Sequence, residues 1–211
     1  MTDLLKQLCL LDATSGDETT VREFIISKIK NNCKYRIDNL GNIICFKKGK
    51  KVPCKKVMLD AHIDEVGLII TAVTDNGYLK FSTVGGIDAS ALMFRKVKIN
   101  GNLNGVISGK PYHLLKSDER KKLPALDNLY IDIGASCKAD ALEKISLGDR
   151  AVVQSEFEIL GDCVKSKALD DRIGCAVLIE LLKEDAEYDF YATFTVQEEV
   201  VFAVLKLPLL Q

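Results

Sequence analysis

The chain has 211 residues, of which 47% are apolar, and its 29 Lys and Arg against 30 Asp and Glu leave a formal net charge of −1. This is the composition of a soluble globular protein with one large domain or two small ones, and it excludes a disordered tail or a disulfide mini-protein. No basic excess exists to neutralise phosphates, so neither nucleic acid nor a charged membrane surface is expected as a partner, and no apolar run reaches the roughly 20 residues a bilayer span needs.

The first residues, Met1-Thr2-Asp3, lack the basic-then-apolar layout of a secretory signal. Seven cysteines, an odd number with no C-x-x-C pair, read as reduced thiols filling a core, and the expected location is cytoplasmic. Leu4, Leu5, Leu8, Leu10 and Leu11 lie near helical spacing, and Thr14-Ser15-Gly16-Asp17 breaks the pattern and can cap a second helix. That helix is predicted from about Glu18 to Lys30, with Val21, Phe24, Ile25 and Ile29 forming one buried stripe. Tyr35 to Ile37 and Ile43 to Phe46 flank the turn signal Asp38-Asn39-Leu40-Gly41-Asn42 and predict a hairpin. Lys55 to Leu59 reads as a buried strand that runs into Asp60-Ala61-His62-Ile63-Asp64.

From Gly67 to about Glu158 the texture changes to short β-rich stretches separated by turn signals such as Asp75-Asn76-Gly77, Gly85-Gly86 and Asn100-Gly101. Strands at this spacing predict a small barrel or sandwich. Lys116 to Lys122, with six charged residues of seven, reads as an exposed loop. After Lys165 a helix from about Asp171 to Lys183 and a strand from Phe190 to Val196 restore the α/β texture. The expected organisation is therefore an α/β domain in two pieces, 1–65 and 156–211, around an inserted β domain, 66–155.

Three polar clusters sit where α/β proteins place their sites, at strand exits and at a helix entry. In the first, His62-Ile63-Asp64-Glu65, residues two apart on extended backbone face one way, so His62 and Asp64 share a side while Ile63 enters the core. A carboxylate beside an imidazole can hold its second ring nitrogen, although a lone His near acids is more often a surface or satisfied core residue. The second cluster, Lys167-Ala168-Leu169-Asp170-Asp171-Arg172, reads by itself as an N-cap with a first-turn acid. The third, Gln197-Glu198-Glu199, closes a strand; on extended backbone one Glu can meet a metal while its neighbour leans toward water, and the plainer reading is a solvated strand end. Together, one imidazole and several carboxylates are the ligand types of a catalytic divalent metal that polarises a carbonyl and acidifies a water.

The wording of Ala61-His62-Ile63-Asp64-Glu65-Val66-Gly67, of Ser166 to Gly174 and of Thr195-Val196-Gln197-Glu198-Glu199-Val200 closely resembles the glutamyl and tetrahedral aminopeptidases, co-catalytic metallopeptidases some of which carry an older endoglucanase label. Supporting matches are Ser15-Gly16-Asp17-Glu18, Asp38 to Asn42, Gly85-Gly86-Ile87-Asp88 and Ile131 to Ala135, and the likeness covers residues 1 to 200 in order. The resemblance implies an α/β zinc-peptidase-like domain with an inserted β-barrel or PDZ-like domain used in assembly. It implies that His62 binds one divalent metal, zinc or cobalt, that Asp170 bridges two, and that Glu199 binds the second. It further implies that Glu198 is the general base, that Asp64 orients His62, that a peptide loses its N-terminal residue, and that subunits form dodecamers from dimers. The rival readings are an endoglucanase, which would use two carboxylates but has no need of His62, and a non-catalytic remnant that associates through the β domain.

The likeness stops at Val200. The family continues with Gly-x-Arg-Gly-Ala and a long stretch supplying one further Asp and one further His ligand, whereas this chain reads Val201-Phe202-Ala203-Val204-Leu205 and ends at Gln211. His113, the second of two histidines, reads as structural. Restoring one G after the codon for Val200 turns permitted codons for 201–211 into Gly-Phe-Arg-Gly-Ala-Lys-Thr-Ala-Ala-Phe-Thr, so the expectation is a frameshifted, truncated peptidase. Each metal then keeps two protein ligands where catalytic zinc has three, with impaired activity and an apolar tail prone to aggregation. Sequencing the gene tests this: a restored frame that stops at once, or lacks the Asp and His, refutes it.

Overall fold

The computed structural model describes residues 1–111 and 125–200. His113, the charged stretch 116–122 and the tail 201–211, expected from sequence to be a structural histidine, an exposed loop and a frameshifted segment, lie outside the described residues. Two compact units are present: Met1–Glu65 with the chain from Glu156 onward, and Val66–Ser155.

Met1–Glu65 contributes α1 (Thr2–Leu10), α2 (Thr19–Ile29), β1 (Lys34–Ile37), β2 (Ile43–Lys47) and β3 (Met58–His62). Val21, Ile25 and Ile29, four residues apart, give α2 its fully buried face, with Phe24 partly buried beside it. The β1–β2 hairpin is closed by Asp38, whose Oδ1 accepts the N–H groups of Leu40, Gly41 and Asn42 at 2.9–3.0 Å. Gly41 at φ +106° completes the turn at a backbone angle that a side chain would strain.

Val66–Ser155 holds β4 (Gly67–Val73), β5 (Leu79–Val84), α3 (Ala89–Leu92), β6 (Lys96–Ile99), β7 (Leu103–Gly109), β8 (Leu129–Asp132), α4 (Lys138–Leu142) and β9 (Arg150–Val153). The six strands close into a barrel in the order β4-β5-β8-β7-β6-β9. Of the two β architectures expected, the barrel is the one formed, and closure leaves no unpaired edge. Its interior is lined by Leu68, Ile70, Leu79, Val97, Ile99, Ile107 and Ile131, each at most 1% exposed. Full burial of such a side chain is worth about 1.5–3 kcal/mol, which explains how short strands hold a separate core.

From Glu156 the chain adds β10 (Glu158–Leu160), β11 (Cys163–Lys165), α5 (Leu169–Lys183) and β12 (Phe190–Thr195). The sheet of this unit has the order β1-β2-β12-β3, antiparallel except for the parallel β12–β3 pair. α5 packs on β3, β12, α1 and α2 over one core that includes Leu8, Ile25, Ile43, Ile63, Ile179 and Phe194.

Three expectations are corrected. The strand predicted at Lys55 to Leu59 begins at Met58, and Leu59 and Asp60 are exposed; only Ala61 and His62 are buried, because β3 pairs on one side with β12 and lies at the sheet edge. Thr14 to Asp17 do not cap α2, whose N-cap, Glu18, makes no side-chain cap bond. Cys9, Cys45 and Cys175 are buried and Cys33 partly so, but Cys54, Cys137 and Cys163 are exposed; all seven are free thiols. The β10–β11 hairpin and the four- and five-residue helices α3 and α4 escape sequence reading because such short pieces carry no periodicity; Ile159 and Leu160 in β10 are exposed.

Candidate metal-binding and catalytic site

The parallel pairing of β12 with β3 sets Thr195 beside His62, so both strands deliver their carboxyl ends to the same edge of the sheet. The first and third clusters thereby meet, although Asp64 and Glu198 are 134 residues apart in sequence. The entry to α5 meets them there: His62 Nε2 lies 3.1 Å from Asp170 Oδ1, across a separation of 108 residues.

His62 is held from behind. Its Nδ1 lies 3.2 Å from the main-chain carbonyl of Asp64 and 3.5 Å from the Asp64 carboxylate. Burial disfavours a charged imidazole, but the bonds to Asp64 and Asp170 and the nearby Glu198 outweigh it and push His62 up to about 9. The two carboxylates differ in setting: the Asp64 side chain is 0% exposed and the Asp170 side chain 90%. One acid is a fixed support and the other faces solvent.

Asp64 does more than the sequence suggests. Its carboxylate accepts the Ser15 hydroxyl at 2.6 Å and the backbone N–H groups of Glu198 and Glu199 at 3.1 Å each. These bonds, with His62, hold its carboxyl below the usual range against the upward push of burial. Thr14-Ser15 is thus a support for the first cluster, not a helix cap. Glu18, 4% exposed, accepts the Gly16 N–H at 2.6 Å; burial raises its carboxyl, and the Gln197 backbone also bonds to it.

Glu198 and Glu199 do not continue an extended strand. β12 ends at Thr195, Gln197 takes a left-handed φ of +60°, and Glu198–Val200 forms a 3-10 turn, so the alternation expected for adjacent residues gives way to a turn whose two N–H groups point at Asp64. Asn42, fully buried, steadies the approach: its Oδ1 accepts the Val196 N–H at 2.9 Å and its Nδ2 donates to Asp38 at 2.8 Å. Burial raises the Glu199 carboxyl, with His62 opposing and Asp64, Glu198 and Asp170 adding to it.

The two adjacent aspartates of the second cluster divide their work. Asp170 and Asp171 have non-helical backbone angles and are joined by a cis peptide bond. Asp171 Oδ1 accepts the Gly174 N–H at 3.0 Å within the kinked first turn of α5, while Asp170 turns to His62; the N-cap itself, Ala168, makes no side-chain cap bond, so of the expected N-cap with first-turn acid only the first-turn acids are found. Lys167, three residues earlier, buries its ammonium against Glu65 at 2.6 Å, Asp12 at 3.1 Å and the Leu11 carbonyl at 3.0 Å, tying the entry of α5 to the exit of β3. Arg172 is fully buried and donates to the Leu8 carbonyl at 2.6 Å.

Sequence reasoning missed Asp60, whose carboxylate accepts the hydroxyls of Thr193 and Thr195. The signal was available, since Asp60 precedes His62 by two positions on the same face of β3.

Neutral imidazole and carboxylate are cation-ligand types, and His62 with Asp170, 3.1 Å apart, is the pair that fits. Among the described residues, however, no group of three or more His, Cys, Asp and Glu gathers closely enough to hold a metal ion. The donor set is a pair with Glu199 nearby, not a complete site. No helix among the described residues is long and apolar enough to cross a membrane.

The α/β sheet and the closed six-stranded barrel encoded within it are matched by solved aminopeptidases. Over 98% of its length the chain superposes on the TET1 peptidase of Pyrococcus horikoshii, with TM-score 0.87, 37% identity and 64% of that chain covered; that protein assembles into a tetrahedron or a large octahedral shell. It superposes over 97% of its length on a Thermotoga maritima protein named an endoglucanase, with TM-score 0.81, 37% identity and 62% of that chain covered. A protein of Acetivibrio thermocellus that carries an aminopeptidase name is 42% identical over 203 residues, 95% of this chain and 59% of its own. The profile of the M42 glutamyl aminopeptidase family matches residues 41–205, and the chain belongs to that family. It spans about 60% of the length of these relatives.

Proposed function

We propose that this site serves the hydrolytic removal of N-terminal residues from peptides, with His62 and Asp170 holding one divalent cation, Asp170 and Glu199 contributing to a second, and Glu198 acting as general base. The observation that carries the reading is the 3.1 Å approach of His62 Nε2 to the solvent-facing Asp170 carboxylate, backed by the buried Asp64. Zinc or cobalt bound there supplies Lewis-acid chemistry, polarising a carbonyl and lowering the pKa of water. His62 presents Nε2 because Nδ1 is engaged by Asp64, which fixes the ring. Glu198 takes the proton of the attacking water and returns it to the leaving amine; its backbone N–H is pinned to Asp64, which limits its wander. Two protein ligands per cation among the described residues fall short of the three of a catalytic zinc site, so a working centre needs a further donor for each.

The barrel unit is read as the assembly module of a homo-oligomer, supported by the shells that the Pyrococcus horikoshii family member builds. The endoglucanase name on the Thermotoga maritima protein does not favour glycoside hydrolysis, because two carboxylates suffice for that chemistry and the His62–Asp170 pair has no part in it.

The test is calorimetric titration of the purified chain with zinc or cobalt, alongside release of free amino acid from a short peptide with and without chelator. Binding that is lost in His62→Ala and Asp170→Asn, and amino-acid release that chelation stops and Glu198→Gln abolishes, are the expected results. A chain that oligomerises yet binds no cation near stoichiometry and releases no amino acid is the non-catalytic remnant, and the enzymatic reading falls.

A further inference from the structure

Thr14-Ser15-Gly16-Asp17 closes as a turn. The Asp17 N–H donates to the Thr14 carbonyl at 2.7 Å, and Gly16, third of the four, takes φ +87°, the angle a type II turn asks of that position and glycine accepts without strain. The chain enters this turn lying parallel to the residues that follow β3. Thr14 bridges Glu65, the Glu65 N–H donates to the Ala13 carbonyl at 2.9 Å, and the Ser15 N–H donates to the Glu65 carbonyl at 3.3 Å. The Ala13 N–H also reaches the Glu65 carboxylate at 3.1 Å, and Lys167 holds that carboxylate from the entry of α5. Backbone bonds on both sides therefore set the depth and direction of Ser15, at the second position of the turn.

Ser15 is buried, and its hydroxyl donates at 2.6 Å to Asp64 Oδ2, the oxygen that also accepts the Glu199 N–H. The other oxygen, Oδ1, accepts the Glu198 N–H and lies 3.5 Å from His62 Nδ1. Thr14, its neighbour and equally buried, has no partner for its hydroxyl among the described residues, so the turn presents one hydroxyl to the carboxylate and not two. Because the Asp64 side chain is 0% exposed, water cannot replace a lost donor, and an oxygen left short of partners gains by rotating toward another. A hydroxyl has a further merit here. It fixes the carboxylate without neutralising it, so the full negative charge stays available to the imidazole, whereas an ammonium in its place would compete with His62.

We infer that Ser15 is a positioning residue of the site: through Asp64 it sets both the ring of His62 and the turn that carries Glu198 and Glu199, and so sets the affinity for a divalent cation. The role rests on the proposed binding of that cation by His62 and Asp170. Ser15 itself touches neither the cation nor a substrate. A group that orients a ligand imidazole carries about 10–100-fold in metal affinity, and Ser15, acting one bond further out, carries about tenfold. The same bond limits the freedom of the Glu198 and Glu199 amides, which share the carboxylate with it.

The test compares the unaltered chain with Ser15→Ala and with Ser15→Cys, which keeps the size of the side chain but offers only a weak donor and serves if the alanine variant does not fold. Amide hydrogen exchange by NMR, without metal, reads the turn; calorimetric titration with zinc reads the affinity. In Ser15→Ala, exchange at Glu198 and Glu199 is expected to rise about tenfold while the Val196 amide, held by Asn42 and not by Asp64, is unchanged, and zinc binding is expected to weaken about tenfold, with Ser15→Cys between. A merely structural role would loosen all three amides together. Equal acceleration at Val196, unchanged exchange at Glu198 and Glu199, or zinc affinity kept within twofold overturns the inference. An unaltered chain that binds no zinc defeats the cation reading, and with it the affinity role of Ser15, while selective exchange at Glu198 and Glu199 still separates a positioned turn from a general loosening.

Discussion

Replacing Lys167 with Met removes one ammonium from a place where water cannot substitute for it. The Lys167 side chain is 8% exposed and the Glu65 side chain 4%, with 2.6 Å between Nζ and Oε1. At an effective dielectric constant of about 20 this contact is an attraction of roughly 6 kcal/mol, most of which offsets the desolvation of both ions when the pair is intact. Removing the cation alone leaves Glu65 buried with the Ala13 N–H at 3.1 Å as its remaining bond, and the expected loss of stability is about 3–5 kcal/mol. Glu65→Gln costs less, about 1–3 kcal/mol, because Lys167 keeps Asp12 and the Leu11 carbonyl. The double variant recovers part of the loss, with a coupling of about 2 kcal/mol or more. Urea unfolding followed by circular dichroism at constant m-value gives all four corners of the cycle. A Lys167→Met loss under about 1 kcal/mol, the range of exposed pairs, or strict additivity, refutes the reasoning.

Asn42→Ala strips the acceptor from the buried Val196 N–H and the donor from Asp38; a loss of about 1–3 kcal/mol is expected, with faster hydrogen exchange at the Val196 amide. Gly49→Ala places a Cβ 2.3 Å from the Tyr188 carbonyl carbon, so backbone must move and a loss of about 1–3 kcal/mol is expected, whereas Gly86→Ala meets nothing within 4 Å and stays within about 0.5 kcal/mol; thermal melts of both compare them directly. Glu18 has a carboxyl raised above 4.5 by burial, so ionising it opposes folding: this cost is absent below 4.5 and complete above the folded value. Glu18→Gln therefore loses less stability than the unaltered chain as pH rises from 4.5 to neutrality, read from urea midpoints across that range.

Much of this was legible in order along the chain. The α2 stripe, the hairpin at Asp38 to Asn42, the barrel strands and the three polar clusters each have a local signature of period, turn chemistry or residue type. What could not be read is how neighbours in sequence divide their tasks. Asp170 and Asp171 differ only in which way the kinked entry to α5 turns them, and Glu198 and Glu199 share a carboxylate acceptor because Gln197 bends the chain out of β12. Ser15 reads as a cap from local chemistry and serves instead as a donor to Asp64, 49 residues away.

Sequence alone determined the kinds of group available: one imidazole, its flanking acids, an Asp-Asp pair before a helix and a Glu-Glu pair after a strand, with spacing that resembles a metallopeptidase family. Composition and period suffice for that because they are properties of segments. Only the tertiary structure decided which groups meet. Parallel pairing of β12 with β3 carries residues 60–65 and 195–199 to one sheet edge, and the buried Asp64 carboxylate, unable to find water, draws its partners from two distant segments. The need to satisfy a buried charge is a constraint on three-dimensional neighbours, and no one-dimensional pattern records it.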